Sequence, residues 1–400
     1  MTAIAAKILS IPEYTTIELA EPDLPSEVGE RIHSDYGDQV AVDPPSFKNG
    51  RRWRLGAQGW VGYLPLTDGW GIRLTPKTPI ANLIRMLECA YGLDSLRFFD
   101  DLAPANSLEE FFSQLAGILS RRVLDRVRRG LYRTYVREEE QLPYIRGRLD
   151  MSERLRRPWL SQLPCRYEEH LADIEENQIL AATLGVILRS GLCRSEVAPL
   201  VRRAYRTLEP FVGARHFRAE DCVGRLYNRL NTDYQPLHAL CRFFLANAAP
   251  GHAAGEHAAL PFVVSMDQLF EMFVAEWLRR NLPPELYLFA QEEVGLSGQG
   301  QMSFRIDMVL YRSDTREPLA VLDTKYKVPD GAASDDFAQV VTYAQLKGCH
   351  EAMLIYPAPL PRTLDAILRN VRVRSLSFEL RSDLESAGRE GVLERLIALQ

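Results

Sequence analysis

Two apolar runs toward the C-terminal end of this chain carry charge where a β-sheet tolerates it least. From Ser303 to Arg312, Phe304, Ile306, Met308 and Leu310 alternate with Arg305, Asp307, Val309 and Tyr311. That period of two is the signature of a strand. Leu319 to Tyr326 reads as the next strand, with Asp323 and Lys325 two residues apart in it, so both project from one face. Charge inside an apolar strand is expensive unless it is paired or bound to a metal. Two carboxylates and an ammonium around a shared point form a workable site for a hard divalent cation. The bland alternative is an Asp–Lys pair on a sheet surface, which is common and harmless.

The flanking pattern extends this into a domain. Met266 to Leu282 has helical spacing, with Leu269, Phe270, Phe273, Val274 and Trp277 on one side. Leu286 to Val294 and Glu351 to Tyr356 read as further strands, and Asp335 to Leu346 as a second helix. The order α-β-β-β-α-β over residues 261–400 describes a compact α/β domain with a mixed sheet. Glu271 lies on the preceding helix. Gln339 and Tyr343, four apart on the following one, share a face. In this reading Asp307 and Asp323 ligate Mg²⁺, for which Mn²⁺ can substitute, and the Thr324 carbonyl supplies a third oxygen. Glu271 supplies a further carboxylate at the metal or polarises a metal-bound water. Lys325 orients or activates the attacking water and stabilises developing charge. Gln339 and Tyr343 brace Lys325 or hold the substrate backbone.

With 400 residues, the chain is too long for one core, and two or three domains are expected. Residues 1–95 read as β-rich. Trp60 to Leu74 forms two short strands around an Asp68-Gly69 turn, and Ile80 to Tyr91 a helix. Residues 96–247 read as a helical middle domain. Its first helix, Ser107 to Arg129, opens on Ser107 and Glu110 as a capping box. Glu175 to Leu192, Val197 to Leu208 and Tyr234 to Ala246 follow. Residues 248–260, poor in large apolar side chains, read as a linker or exposed loop. The fold class is therefore mixed α/β and multidomain.

Composition narrows the function classes. No apolar run is long enough to span a bilayer, and the first residues lack a signal-peptide core. Six scattered cysteines without a CxxC pair suggest neither disulfides nor structural zinc, so a reducing cytoplasm is expected. A net charge of −5 argues against coating nucleic acid by bulk charge. It leaves room for a local basic surface, and from Arg121 to Pro158 arginine outnumbers acid two to one. That segment is evenly balanced between a solvated helical face and a surface for DNA or a partner. Within it, Gly147 permits a left-handed turn that spreads Arg146 and Arg148. These two, with Lys327, are candidate DNA or partner contacts. The alternative is a buried turn with Arg148 paired to Asp150. Trp53, Trp60 and Trp70 read as core rather than base-stacking residues.

Asp307 and Asp323-x-Lys325, with Glu271 before and Gln339-x-x-x-Tyr343 after, resemble the PD-(D/E)xK nuclease superfamily and its RecB-like variation. Ile306 stands where the superfamily's name has Pro. More of the chain resembles the McrC family, the nuclease subunits of McrBC-type restriction systems. The resemblance is carried, in chain order, by Gly62-Tyr-Leu, Pro76-Lys77, Arg146-Gly147-Arg148, Glu176-Asn177-x-Ile-Leu180 and Met266-x-x-Leu269-Phe270-Glu271. It implies a Mg²⁺-dependent endonuclease acting on double-stranded DNA beside an AAA+ GTPase of the McrB type. That partner would recognise modified DNA, such as 5-methylcytosine, and use the GTP. This chain would stimulate it through its amino-terminal region. No G-x-x-x-x-G-K-[ST] loop is present, so no nucleotide hydrolysis is expected of the chain itself. The glycines from Gly295 to Gly300 read as a hairpin connection. Two alternatives stay open: a non-catalytic assembly and GTPase-activating adaptor, or a nuclease of the same superfamily in repair or another antiphage system.

Overall fold

A computed structural model describes residues 7–66, 70–93, 105, 107–191, 193–248, 261–295, 303–327 and 331–399. The Asp68-Gly69 turn, most of the expected linker and the 296–300 connection lie outside these residues. The protein is mixed α/β and divides into two compact units. One is Met1–Phe111 together with Ala249–Gln400, and the other is Phe112–Ala248.

The first unit opens with β1 (Lys7–Pro12), β2 (Thr16–Ala20), α1 (Ser26–Tyr36), β3 (Val40–Asp43), β4 (Arg52–Ala57), β5 (Trp60–Pro65), β6 (Trp70–Thr75) and α2 (Ile80–Ala90). β2, β4 and β3 form one antiparallel sheet. β5 and β6 pair as the sequence predicts. Trp53 is buried among Val28, Ile32 and Leu55, with Trp60 and Trp70 packed at the edge of that core. Burying side chains of this size contributes about 2 kcal/mol each, which is why the three tryptophans serve packing.

In the second unit, α3 (Leu108–Arg129) begins just before the unit boundary, and the Ser107 hydroxyl caps it by accepting from the Glu110 amide at 3.1 Å. Then follow β7 (Thr134–Leu142), β8 (Arg148–Leu149), α4 (Met151–Arg156), β9 (Leu163–Leu171), α5 (Glu175–Ser190), α6 (Ala198–Leu208) and α7 (Tyr234–Asn247). The four long helices lie where the apolar spacing puts them. The sheet β7-β9-β8 does not follow from the sequence reading, which has this region as irregular chain in a helical domain. The reason is chemical. Both faces of β7 are largely solvated, so no apolar alternation marks it. Its pairing is supported instead by charge across the ladder, Arg137 to Glu168 and Arg166 to Glu139, and by the Tyr167 hydroxyl donating to Glu140.

The chain returns to the first unit as β10 (Phe262–Ser265), α8 (Met266–Asn281), β11 (Leu286–Gly295), β12 (Ser303–Arg312), β13 (Pro318–Thr324), α9 (Ser334–Lys347), β14 (Glu351–Tyr356), β15 (Asp365–Leu368) and β16 (Val371–Ser377), with two short helices, α10 (Leu384–Gly388) and α11 (Glu394–Ile397), at the end. A six-stranded mixed sheet, β11-β12-β13-β14-β16-β15, is antiparallel from β11 to β13 and parallel from β13 through β14 to β16. Two of its strands, β15 and β16, extend it beyond the four-strand pattern expected. β10 belongs to a different sheet. It pairs with β5, and Val263 enters the N-terminal core. The segment read as the start of a C-terminal domain is thus a strand of the N-terminal sheet.

Candidate active site

The strand ladder brings the two acids together. Val309 stands opposite Val321 and Met308 opposite Leu322. Continuing by one position places Asp307 across from Asp323, just where the two strands stop pairing. Asp307 Oδ2 accepts from the Thr324 amide at 3.2 Å and from its hydroxyl at 3.5 Å. Asp323 is only 1% exposed. Its Oδ1 has no hydrogen-bond partner. Its Oδ2 lies 2.8 Å from Lys325 Nζ, at ion-pair distance but outside hydrogen-bond geometry. Lys325 Nζ also donates to Gln339 Oε1 at 3.0 Å, and Gln339 Nε2 donates to the Tyr343 hydroxyl at 2.9 Å. The helix pair read from its spacing therefore braces the lysine. Glu271 enters from α8, which packs on β11 and β13.

The electrostatics follow from this crowding. Burial, then the neighbouring Asp307, pushes the Asp323 carboxyl up to about 7. Burial and the same neighbour push Glu271 up to about 7. Burial raises Asp307 too, against the pull of the Thr324 amide and Lys325. Burial works to lower Lys325, but Asp323 and its neighbours outweigh it and hold the ammonium charged. Acids that resist ionisation beside a fixed cation are a recurrent mark of functional sites.

Among the described residues, no three His, Cys, Asp or Glu side chains are gathered tightly enough to enclose a metal by themselves. The donor set is nonetheless of the kind Mg²⁺ takes, since that ion binds through one or two carboxylates and keeps several waters. The Asp323 oxygen without a hydrogen-bond partner is the feature that fits a cation.

The family model described as "McrBC 5-methylcytosine restriction system component" matches residues 55–357. The chain belongs to that family. It is 26% identical over 215 residues to the type IV methyl-directed restriction enzyme EcoKMcrBC of Escherichia coli K12. That alignment covers 52% of this chain and spans 60% of the relative's length. Its fold is similar to a chain in the refined half-complex from the tetradecameric assembly of Thermococcus gammatolerans McrB AAA+ hexamers with bound McrC, at TM-score 0.52 and 19% identity over 98% of this chain and 99% of that one. A chain in the cryo-EM structure of the T. gammatolerans McrBC complex matches at TM-score 0.41 and 21% identity, over 69% of this chain and 88% of that one.

Several positions that carry the McrC-family resemblance have structural reasons on this fold. Gly62 has φ +137°, and a Cβ there would lie 2.4 Å from the Phe262 carbonyl oxygen, so β10 can pair closely with β5 only across a glycine. Asn177 is fully buried in the second unit. It donates to the carbonyls of Tyr132 and Ala172 at 2.9 and 2.7 Å and accepts from the Tyr234 hydroxyl at 2.6 Å. Gly147 has φ +70° as expected, and a Cβ would collide with the Arg166 carbonyl.

The remaining candidates have local partners. Arg146 pairs with Glu169 at 3.1 Å and lies over the Tyr167 ring. Arg148 is exposed in β8, opposite Arg166. The alternative pairing to Asp150 is not what the structure has: Asp150 pairs with Arg166 and caps α4. Lys327 is held by Asp336 at 2.9 Å. Arg146 and Arg148 belong to the second unit, whereas the acids and Lys325 belong to the first.

Sequence reasoning misses a buried clasp beside the site. Glu13, at the end of β1, accepts from the Lys77 amide at 2.6 Å and from the Tyr326 hydroxyl at 3.0 Å; Thr78 reaches the same hydroxyl. The residue next to Lys325 is thereby tied to the N-terminal sheet. Its only sequence signal is Glu13 among apolar neighbours, which is too weak to read alone.

Proposed function

We propose that this chain is the nuclease subunit of a modification-dependent restriction system, a metal-dependent DNA endonuclease working with an AAA+ GTPase partner. The observation that carries the reading is the buried Asp323 carboxylate, across the ladder from Asp307, with one oxygen paired to the Lys325 ammonium and the other without a hydrogen-bond partner. Such a carboxylate is costly in a folded protein unless a cation is meant to meet it. Family membership supports the restriction setting.

Asp307 and Asp323 would hold Mg²⁺, with the Thr324 carbonyl as a further oxygen and Glu271 placed to accept from a metal-bound water. The ion, when bound, supplies Lewis acidity and neutralises charge at the scissile phosphate. Lys325 stays protonated, so it acts as a donor and a positive charge: it orients the attacking water and stabilises the charge that builds on the phosphate oxygens. Gln339, fixed by Tyr343, keeps its ammonium aimed. The substrate is double-stranded DNA. The GTP is consumed by the partner, whose hydrolysis this chain stimulates.

The test is cleavage of methylated and unmodified plasmid with an AAA+ GTPase partner of the McrB type, with and without GTP and Mg²⁺. The wild type should cut only the modified plasmid, and only with all components present. Asp323→Ala should lose cutting at least about 100-fold while still stimulating GTP hydrolysis. Undiminished cutting by that variant would reject the catalytic assignment.

A further inference from the structure

A left-handed backbone beside the candidate site belongs to Gln291, a residue with no part so far. Five non-glycine residues among those described have left-handed backbone: Tyr14, Arg51, Gln291, Arg316 and Arg369. Four of them lie in connections between elements. Gln291 alone lies inside a strand, β11, with φ +58°. That conformation costs a side-chain-bearing residue about 1 kcal/mol or more, and persists where surrounding interactions impose it, often at functional sites.

Its place in the ladder is specific. Ala290 stands opposite Met308 and Glu292 opposite Ile306. The register is the same on both sides, so no residue is inserted and Gln291 faces Asp307. The kink instead turns the side chain. Gln291 Nε2 donates to Glu271 Oε1 on α8. Glu271 in turn feels both Asp307 and Asp323. β11 is an edge strand, and a kink there would also blunt the edge against pairing with other chains. Edge protection, however, asks nothing of the carboxamide, which is directed at Glu271 of α8.

We propose that Gln291 is a positioning residue: its left-handed backbone aims its carboxamide at Glu271 and holds that carboxylate beside the Asp307–Asp323 pair, where it can accept from a water of the bound cation. The inference rests on the metal-dependent nuclease reading above. It assigns Gln291 no contact with substrate. The amide N–H fixes one carboxylate oxygen and leaves the other free for a cation-bound water.

Glycine and asparagine separate backbone from side chain at this position. Glycine adopts the left-handed conformation freely, so Gln291→Gly should melt no lower than wild type. Asparagine tolerates it also but is one methylene too short. On the full-length protein, Mn²⁺ binding measured by calorimetry should weaken about tenfold in Gln291→Gly and Gln291→Asn. Cleavage with the partner should need correspondingly more Mg²⁺ and recover at saturating Mg²⁺. Wild-type Mn²⁺ affinity and an unchanged Mg²⁺ requirement in both variants would overturn the role of Gln291 alone. Failure of the wild-type protein to bind Mn²⁺ or to cut would overturn this inference together with the nuclease reading.

Discussion

Asp323 is buried with one oxygen lacking a hydrogen-bond partner, and the ammonium paired with the other is already shared with Gln339. A group kept in that state weakens the metal-free fold. Asp323→Asn removes the buried charge and should raise the thermal midpoint of the chelator-treated protein while abolishing cleavage. A lowered midpoint would mean that Asp323 is a structural partner of Lys325 instead. The second unit holds the opposite kind of buried polar residue. The His238 Nε2–H donates to the Glu176 carbonyl at 3.0 Å, and Nδ1 accepts from the Tyr227 hydroxyl at 2.9 Å, so the neutral ring is fully satisfied. Burial lowers its pKa from 6.5 to about 4. Between those values the unfolded chain binds a proton that the folded chain does not. The stability this group contributes is therefore present above pH 6.5 and lost as pH falls toward 4, by up to about 3 kcal/mol. Urea midpoints at about pH 7.5 and about pH 5 should differ less in His238→Gln than in wild type; the same difference in both would exclude the ring as the cause.

At the scale of elements, legibility followed the apolar pattern. β12, β13, α9 and β14 carry strong alternation or helical spacing and lie within a residue or two of where that spacing predicts. β7 and β9 carry charge on both faces and were illegible for that reason. β10 was illegible differently. Phe262 to Ser265 is apolar enough for a strand, but its partner is Trp60–Pro65, some two hundred residues earlier, and nothing local reports such a pairing. Gly62 is where this long-range contact shows itself. Gly62→Ala would set a Cβ against the Phe262 carbonyl at a φ that alanine rarely adopts. It should cost at least about 2 kcal/mol, read as a shifted denaturation midpoint of the first unit. A midpoint within experimental error of wild type would show that β10 can separate from β5 without loss.

The first unit as a whole is built from both ends of the chain. α2 packs on α8, Asn82 donates to the carbonyls of Leu380 and Ser382, and Glu13 and Thr78 meet Tyr326. A fragment of residues 261–400 therefore carries every candidate catalytic side chain but lacks the surface on which α8 and Tyr326 are buried. Expressed alone it should be insoluble or melt without cooperativity, and co-expression with residues 1–111 should restore a cooperative transition. A cooperative melt of the isolated fragment, matching that of the intact protein, would refute this dependence.

The candidate residues are legible in the sequence: Asp307, Asp323, Lys325, Glu271, Gln339 and Tyr343 announce themselves because strand and helix periods are local properties and charge within an apolar strand demands a partner. Tertiary structure alone decided that Asp323 lies fully buried with an unpartnered oxygen, that Gln291 turns left-handed to meet Glu271, and that a strand from beyond residue 260 completes the N-terminal sheet. Burial and left-handed backbone are imposed by atoms far away in the chain, and no window of neighbouring residues contains them.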